Sequence, residues 1–256
     1  MALCSTRFLL LLLLLSAVPC AKWDDLNRRF IVSYIEGGVG VVPLNGDASI
    51  LEEITVVGDA GFGNNSSLGI VIDRPRNRLL VAIADVQGNK YSAIAAYDLT
   101  TWNQLYHTKL AGPEGEKTFA DDVAVDMEGN AYVTDVKGSK LWKVGVIGEL
   151  LYTIKSPLFI PKECSCEIVR LRNFFLNILQ LHGLNGIVYH PNGYLLVVHT
   201  LRCKLFKAEI GKGDVVKEVN IIGGSLMFGD GLELISPTKI AVAGNAIRLV
   251  ERLPVL

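Results

Sequence analysis

The chain has 256 residues, half of them apolar, and a formal net charge of -1. That length and apolarity build one sizeable core and exclude a disordered chain. The balanced charge leaves no basic excess, so a nucleic-acid partner is excluded too.

Residues 1–21 differ from the rest. Arg7 gives a positive start, Phe8 to Leu15 is an almost pure leucine run, and Ser16-Ala17-Val18-Pro19-Cys20-Ala21 is a small-residue cleavage region. This is the pattern of a secretory signal peptide. A membrane anchor is the competing reading, but the run falls well short of the roughly 20 residues needed to span a bilayer. The expectation is a mature domain over 22–256, in the secretory pathway or outside the cell, with no membrane span. Cys4 and Cys20 then leave with the leader. Cys164, Cys166 and Cys203 stay, an odd set for an oxidising compartment. Cys164-Ser165-Cys166 has too little company for zinc.

The mature chain repeats one phrase: apolar-x-apolar-Asp, a tight turn, then a second apolar strand. Trp23-Asp24 leads to Arg29-Phe30-Ile31-Val32. Leu68 to Asp73 leads to Asn77-Arg78-Leu79-Leu80-Val81. Between these two copies, Asn64-Asn65-Ser66-Ser67 holds overlapping N-x-[ST] sequons, making Asn64 and Asn65 candidate glycan acceptors. Asp121 to Asp126 leads to Gly129-Asn130-Ala131-Tyr132-Val133. Asn185 to His190 leads to Gly193 to Val198, and Asp230 to Leu234 leads to Lys239 to Val242. Aligned on Asp24, Asp73, Asp126, His190 and Ile235, the copies stand 49, 53, 64 and 45 residues apart.

Units of that size made of short strands predict the blades of an all-β propeller. In the third unit the predicted strands are Val123–Val125, Ala131–Thr134, Lys140–Val144 and an outer Leu150–Ile154, separated by hairpin turn signals. The long interval contains a helical pattern, with Leu171, Phe174, Phe175, Ile178 and Leu179 at i, i+3, i+4, i+7 and i+8. It predicts a helical insertion over 168–182 packed on one end of the propeller. A partner-binding or membrane-surface helix, or extra residues without a structural role, are the other readings. The first unit shows no strand before Trp23, and the last ends soon after Ile247–Val250. About five blades are therefore recognisable, with incomplete first and last members.

Inner strands of a propeller line a central channel, so the residues at their starts converge. These are Leu68, Asp121, Asn185 and Asp230. Three of the four offer oxygen ligands suited to a hard cation such as calcium. Taken singly, Asp and Asn also cap turns; the same offset in three repeats favours the cation. Asp122, next in line, is a candidate general base. Asp73 and Asp126 precede turns and read as turn residues. The histidines form no metal pair, no G-x-S-x-G elbow is present, and Gly37-Gly38 and Gly223-Gly224 make no dinucleotide loop. Trp23, Trp102 and Trp142 are expected to pack between blades.

Ala120 to Asp135, Leu184 to Val198 and Gly229-Asp230-Gly231-Leu232 resemble the gluconolactonase and regucalcin-like group, the senescence marker proteins. They look most like its plant secreted branch, described as calcium-dependent phosphotriesterase-like. The resemblance runs from about Trp23 to Val250. It implies a six-bladed propeller with one divalent cation, calcium by family, in the channel. It places the cation on Asn185 and Asp230, a substrate contact on Asp121 where the family has Asn, and the family's neighbouring Asp on Asp122. The family's first-blade Glu would fall on Pro19, and a sixth blade has no counterpart. The implied activity is metal-assisted hydrolysis of a lactone or other ester, weakened by the lost carboxylate. The alternative is a non-catalytic propeller binding a small molecule or a protein partner. A strictosidine-synthase-like condensing enzyme is a third reading, for which Glu233 is the acidic candidate.

Overall fold

The computed structural model describes residues 19–44, 52–58, 62–160, 183–200, 202–211, 214–222, 226, 229–244 and 248–250. The helical insertion expected over 168–182 lies outside the described residues, as do Cys4, Cys164 and Cys166.

Five antiparallel sheets follow one another along the chain. The first is β1 (Ala21–Asp24), β2 (Arg29–Ser33), β3 (Val39–Pro43) and β4 (Ile54–Val57). The second is β5 (Ser66–Asp73), β6 (Arg78–Ala84), β7 (Ser92–Asp98) and β8 (Gln104–Lys109). The third is β9 (Ala120–Val125), β10 (Ala131–Asp135), β11 (Lys140–Val144) and β12 (Leu150–Lys155). The fourth is β13 (Leu184–His190), β14 (Tyr194–His199), β15 (Lys204–Glu209) and β16 (Val216–Val219). The fifth has three described strands, β17 (Leu232–Ser236), β18 (Lys239–Val242) and β19 (Arg248–Val250). Each sheet is a plain meander, with neighbours in sequence pairing as neighbours in space. The fold is a β-propeller.

The first blade corrects one expectation. β1 is present and pairs with β2 from Ala21↔Val32 to Asp24↔Arg29, so the first sheet has its inner strand. Its start is anchored by Cys20, whose N–H donates to Ser33 Oγ at 3.1 Å. The strand is short and follows a leucine-rich stretch, which masks its pattern in the sequence.

Apolar clusters sit between consecutive sheets. Ile31, Val39 and Val41 pack on Ile70, Leu79 and Val81. Leu80 and Ile94 pack on Val123 and Val133. Tyr132 and Phe159 pack on Ile187 and Phe206, and Leu196 and Val198 on Leu232 and Ile240. Middle strands are covered on both faces, so β6 is buried throughout and reads as a continuous apolar run rather than an alternation.

The aligned Asp24, Asp73, Asp126 and His190 fasten one blade to the next or brace their own hairpin. Asp24 is fully buried and pairs with Arg29 at 2.8 Å and with Arg74 of the second sheet at 2.6 Å. Asp73 pairs with Arg78 at 2.8 Å, and Arg78 Nη2 donates to Gly129 O of the third sheet at 2.7 Å. His190 Nδ1 accepts the Asn192 N–H, which leaves Nε2–H to donate to Pro237 O of the fifth sheet at 2.8 Å. Asp126 stays within its blade, accepting from Asn130 N and from Tyr132 Oη. Asp73 thus holds Arg78, which makes the inter-blade bond, and its side chain does not cap the turn that its position suggested. Of the tryptophans, Trp142 is buried between sheets and donates to Asp135, and Trp102 lies under the Arg29 guanidinium. Trp23 is 43 % exposed against Phe30, so it does not pack between blades.

Candidate functional site

The inner strands β1, β5, β9, β13 and β17 lie side by side in that order. Their starts surround an open cavity of about 770 Å³. Asp121, Asp122, Asn185 and Asp230, all singled out in the sequence, line it together. Asp121, Asp122 and Asn185 sit near the start of their strands rather than before them, while Asp230 precedes β17. Leu68 also reaches the cavity and joins Phe119 and Val86 in an apolar wall. Its buried carbonyl is capped by Ser33 Oγ at 2.7 Å.

Two glycines allow the inner strands to approach this closely. A Cβ on Gly186 would meet Asp230 O at 2.0 Å, and one on Gly69 would meet Asp122 Oδ1 at 2.3 Å and Asp121 O at 2.7 Å. The Gly186 N–H donates to Asp230 O at 3.0 Å, and the Asp230 N–H to Ala243 O at 2.7 Å. The loop carrying Asp230 is thus fixed by main-chain bonds on both sides.

Asp122 is held differently from its neighbour. Its Oδ1 accepts its successor's N–H at 2.8 Å, and its Oδ2 accepts the Ile187 N–H at 3.1 Å. Burial pushes its carboxyl up to about 6, while the Lys22 ammonium and these amides pull it back. Asp121 stands well above the usual carboxylate range, first through burial and then through the charges of Asp230 and Asp122. Asp230 is raised by burial, with the Asn185 amide beside it pulling the other way. Asn185 is buried, and its Nδ2 has no hydrogen-bond partner.

Two wall residues, Lys22 and Cys20, had no counterpart in the aligned repeats. Lys22 on β1 reaches into the cavity and forms an ion pair with Glu233 on β17. Burial alone would lower the Lys22 ammonium, but Glu233, with Asp122 and Cys20, outweighs it and leaves the group raised. Lys22 precedes Asp24 by two residues and occupies no aligned slot, so register gave no signal for it. Cys20 also lines the cavity, its thiol pushed up to about 11 by burial and by Asp122. Pro19, where the first-blade carboxylate was sought, is on the wall but brings no side-chain ligand atom. Among the described residues no group of three or more His, Cys, Asp and Glu side chains is placed to hold a metal ion. Any cation here would draw on the Asn185 amide as well as carboxylates.

Away from the cavity, Asn64 is exposed at a left-handed position, φ 65°. Asn65 is half-buried and its Nδ2 donates to Phe62 O at 2.7 Å. No helix among the described residues is long and apolar enough to cross a membrane.

No family model and no curated protein matches the chain. Solved structures do. A Bacteroides caccae protein of unknown function superposes with a TM-score of 0.62 at 15% identity, covering 89% of this chain and 70% of that one. The luciferin-regenerating enzyme gives 0.59 at 12% identity, covering 92% and 72%. A catalytically inactive virginiamycin B lyase from Staphylococcus aureus, crystallised with quinupristin, gives 0.56 at 11%, covering 92% and 69%. At such identities the likeness extends to the fold, and it agrees with the sheet order in placing this chain among the β-propellers.

Proposed function

We propose that the channel holds a divalent cation, calcium by the hardness of its donors, and hydrolyses a small ester or lactone in a secreted protein. The observation that carries this reading is the convergence of Asp121, Asn185 and Asp230 on one cavity wall. The donors are all oxygens, as a hard cation requires. The Asp230 charge adds to burial in raising the Asp121 carboxyl, a like-charge contact that a cation would relieve. Asp230 and the Asn185 amide oxygen would hold the ion, with Asp121 beside them facing ion and substrate. A bound cation polarises a carbonyl or lowers the pKa of a water. Asp122 would serve as base or orienter, and the wall of Leu68, Phe119 and Val86 would exclude water from the substrate's apolar part.

Titration of chelator-treated protein with calcium tests the reading. Wild type should give saturable heat that Asp230→Asn abolishes. Absence of heat at millimolar calcium from folded protein refutes it, as does esterase activity unchanged by Asn185→Ala and Asp230→Ala.

A second reading is a non-catalytic propeller that binds a small molecule or a protein partner. It is favoured by Asp122, whose carboxylate is already engaged by two backbone amides. It is also favoured because, among the described residues, no three His, Cys, Asp or Glu side chains are placed to hold a metal ion. Fold alone does not choose between the two.

A further inference from the structure

The cavity is far larger than an ion needs. At about 770 Å³ it lies within the range of small-molecule pockets. Its wall is unequal in charge: Asp121, Asp122, Asp230 and Glu233 face it, and Lys22 is the cation among its lining residues. Lys22 is already engaged by Glu233. Asp121 and Asp230 make no ion pair among the described residues.

A second observation concerns the amide beside these acids. Asn185 is 2% exposed and its side-chain amide is directed at Asp230, yet its Nδ2 makes no hydrogen bond of ordinary length. A buried amide N–H without an acceptor is costly, so such a group in a cavity wall suits a ligand that brings one. A metal ion would take the amide oxygen and leave this donor unmet. An organic ligand can satisfy the donor and the carboxylates together.

We infer that the channel binds an organic ammonium compound that carries a hydroxyl or carbonyl oxygen close to the nitrogen and an apolar body. The ammonium lies between Asp121 and Asp230, the oxygen accepts from Asn185 Nδ2, and the apolar body lies along Leu68, Phe119 and Val86. This deepens the second reading above by naming the ligand class; it needs the acidic channel but not the cation.

The test is calorimetry on the full chain in excess chelator with phenylalaninol, phenethylamine, hydrocinnamyl alcohol and hydrocinnamate. Phenylalaninol should bind at least about tenfold more tightly than the alcohol, a difference of about 1.4 kcal/mol. Hydrocinnamate should not bind. Asp121→Asn and Asp230→Asn, which keep side-chain shape, should each weaken the amines at least about tenfold. Asn185→Leu should erase the preference for phenylalaninol over phenethylamine. Equal binding of amine, alcohol and acid, or no binding of any, overturns the inference from wild-type protein alone, without relying on a variant that folds. A separate calcium titration without organic ligand reports on the cation reading, so the two fail independently.

Discussion

The Asp122 carboxylate accepts the Ile187 N–H at 3.1 Å and so ties β9 to β13 at the channel wall. The same carboxyl is pushed from an ordinary 3.8 up to about 6 by burial. Between those two values the unfolded chain releases a proton that the folded chain keeps. Folding therefore loses stability as pH rises from about 4 to 6, on the order of 3 kcal/mol from this group, and nothing further above that. Asp122→Asn removes the titration. Its stability relative to wild type should improve with pH over that window in denaturant melts. A difference that stays flat between pH 4 and 7 would remove Asp122 from the account.

Gly186→Ala should disturb the site directly. Its Cβ would stand 2.0 Å from Asp230 O, so β13 or the Asp230 loop must move. A loss of about 1–3 kcal/mol is expected from the forced shift, with weaker ligand binding in the channel. Thermal melts and calorimetry on the same sample check both.

Arg78 and Asp73 are 4% and 2% exposed by side chain, and each is buried with its partner. Arg78→Ala leaves Asp73 with the longer Arg76 contact at 3.2 Å and leaves the Gly129 and Val146 carbonyls of the third sheet without their donor. The expected cost is about 3–5 kcal/mol, read in urea unfolding. Replacing both residues by apolar ones of similar volume should recover much of it.

Calcium at a hundredfold excess over its dissociation constant should raise wild-type stability by about 2.7 kcal/mol, seen as a higher melting temperature. Asp230→Asn should show no calcium-dependent shift. A shift preserved in that variant would move the cation elsewhere.

Expression through a secretory pathway should attach a glycan that an endoglycosidase removes. Asn64 is exposed and Asn65 has its amide engaged, so Asn64→Gln should abolish the gel shift and Asn65→Gln should retain a smaller effect on occupancy.

The repeat was legible because every blade needs an apolar inner strand followed by a tight turn. Aligning the copies also placed Asp121, Asn185 and Asp230 in register, and that register is what brings them to one wall. The same alignment mistook Asp73, because a turn position and an ion-pair position look identical until Arg78 is seen folding back over it. It missed Lys22 because a long side chain reaches a channel from any nearby backbone position. It missed β1 because a strand of four residues carries too little alternation to stand out beside the leucine run.

Consecutive sheets are joined by apolar clusters, whereas Lys22 and Glu233 join the first sheet to the fifth across 211 residues of chain. Among the described residues no apolar cluster spans that junction. Apolar contacts hold regardless of ionic strength, but a partly exposed ion pair is screened by salt. The contact between the first and fifth sheets is thus the one that added salt loosens first, while the apolar clusters between consecutive sheets persist.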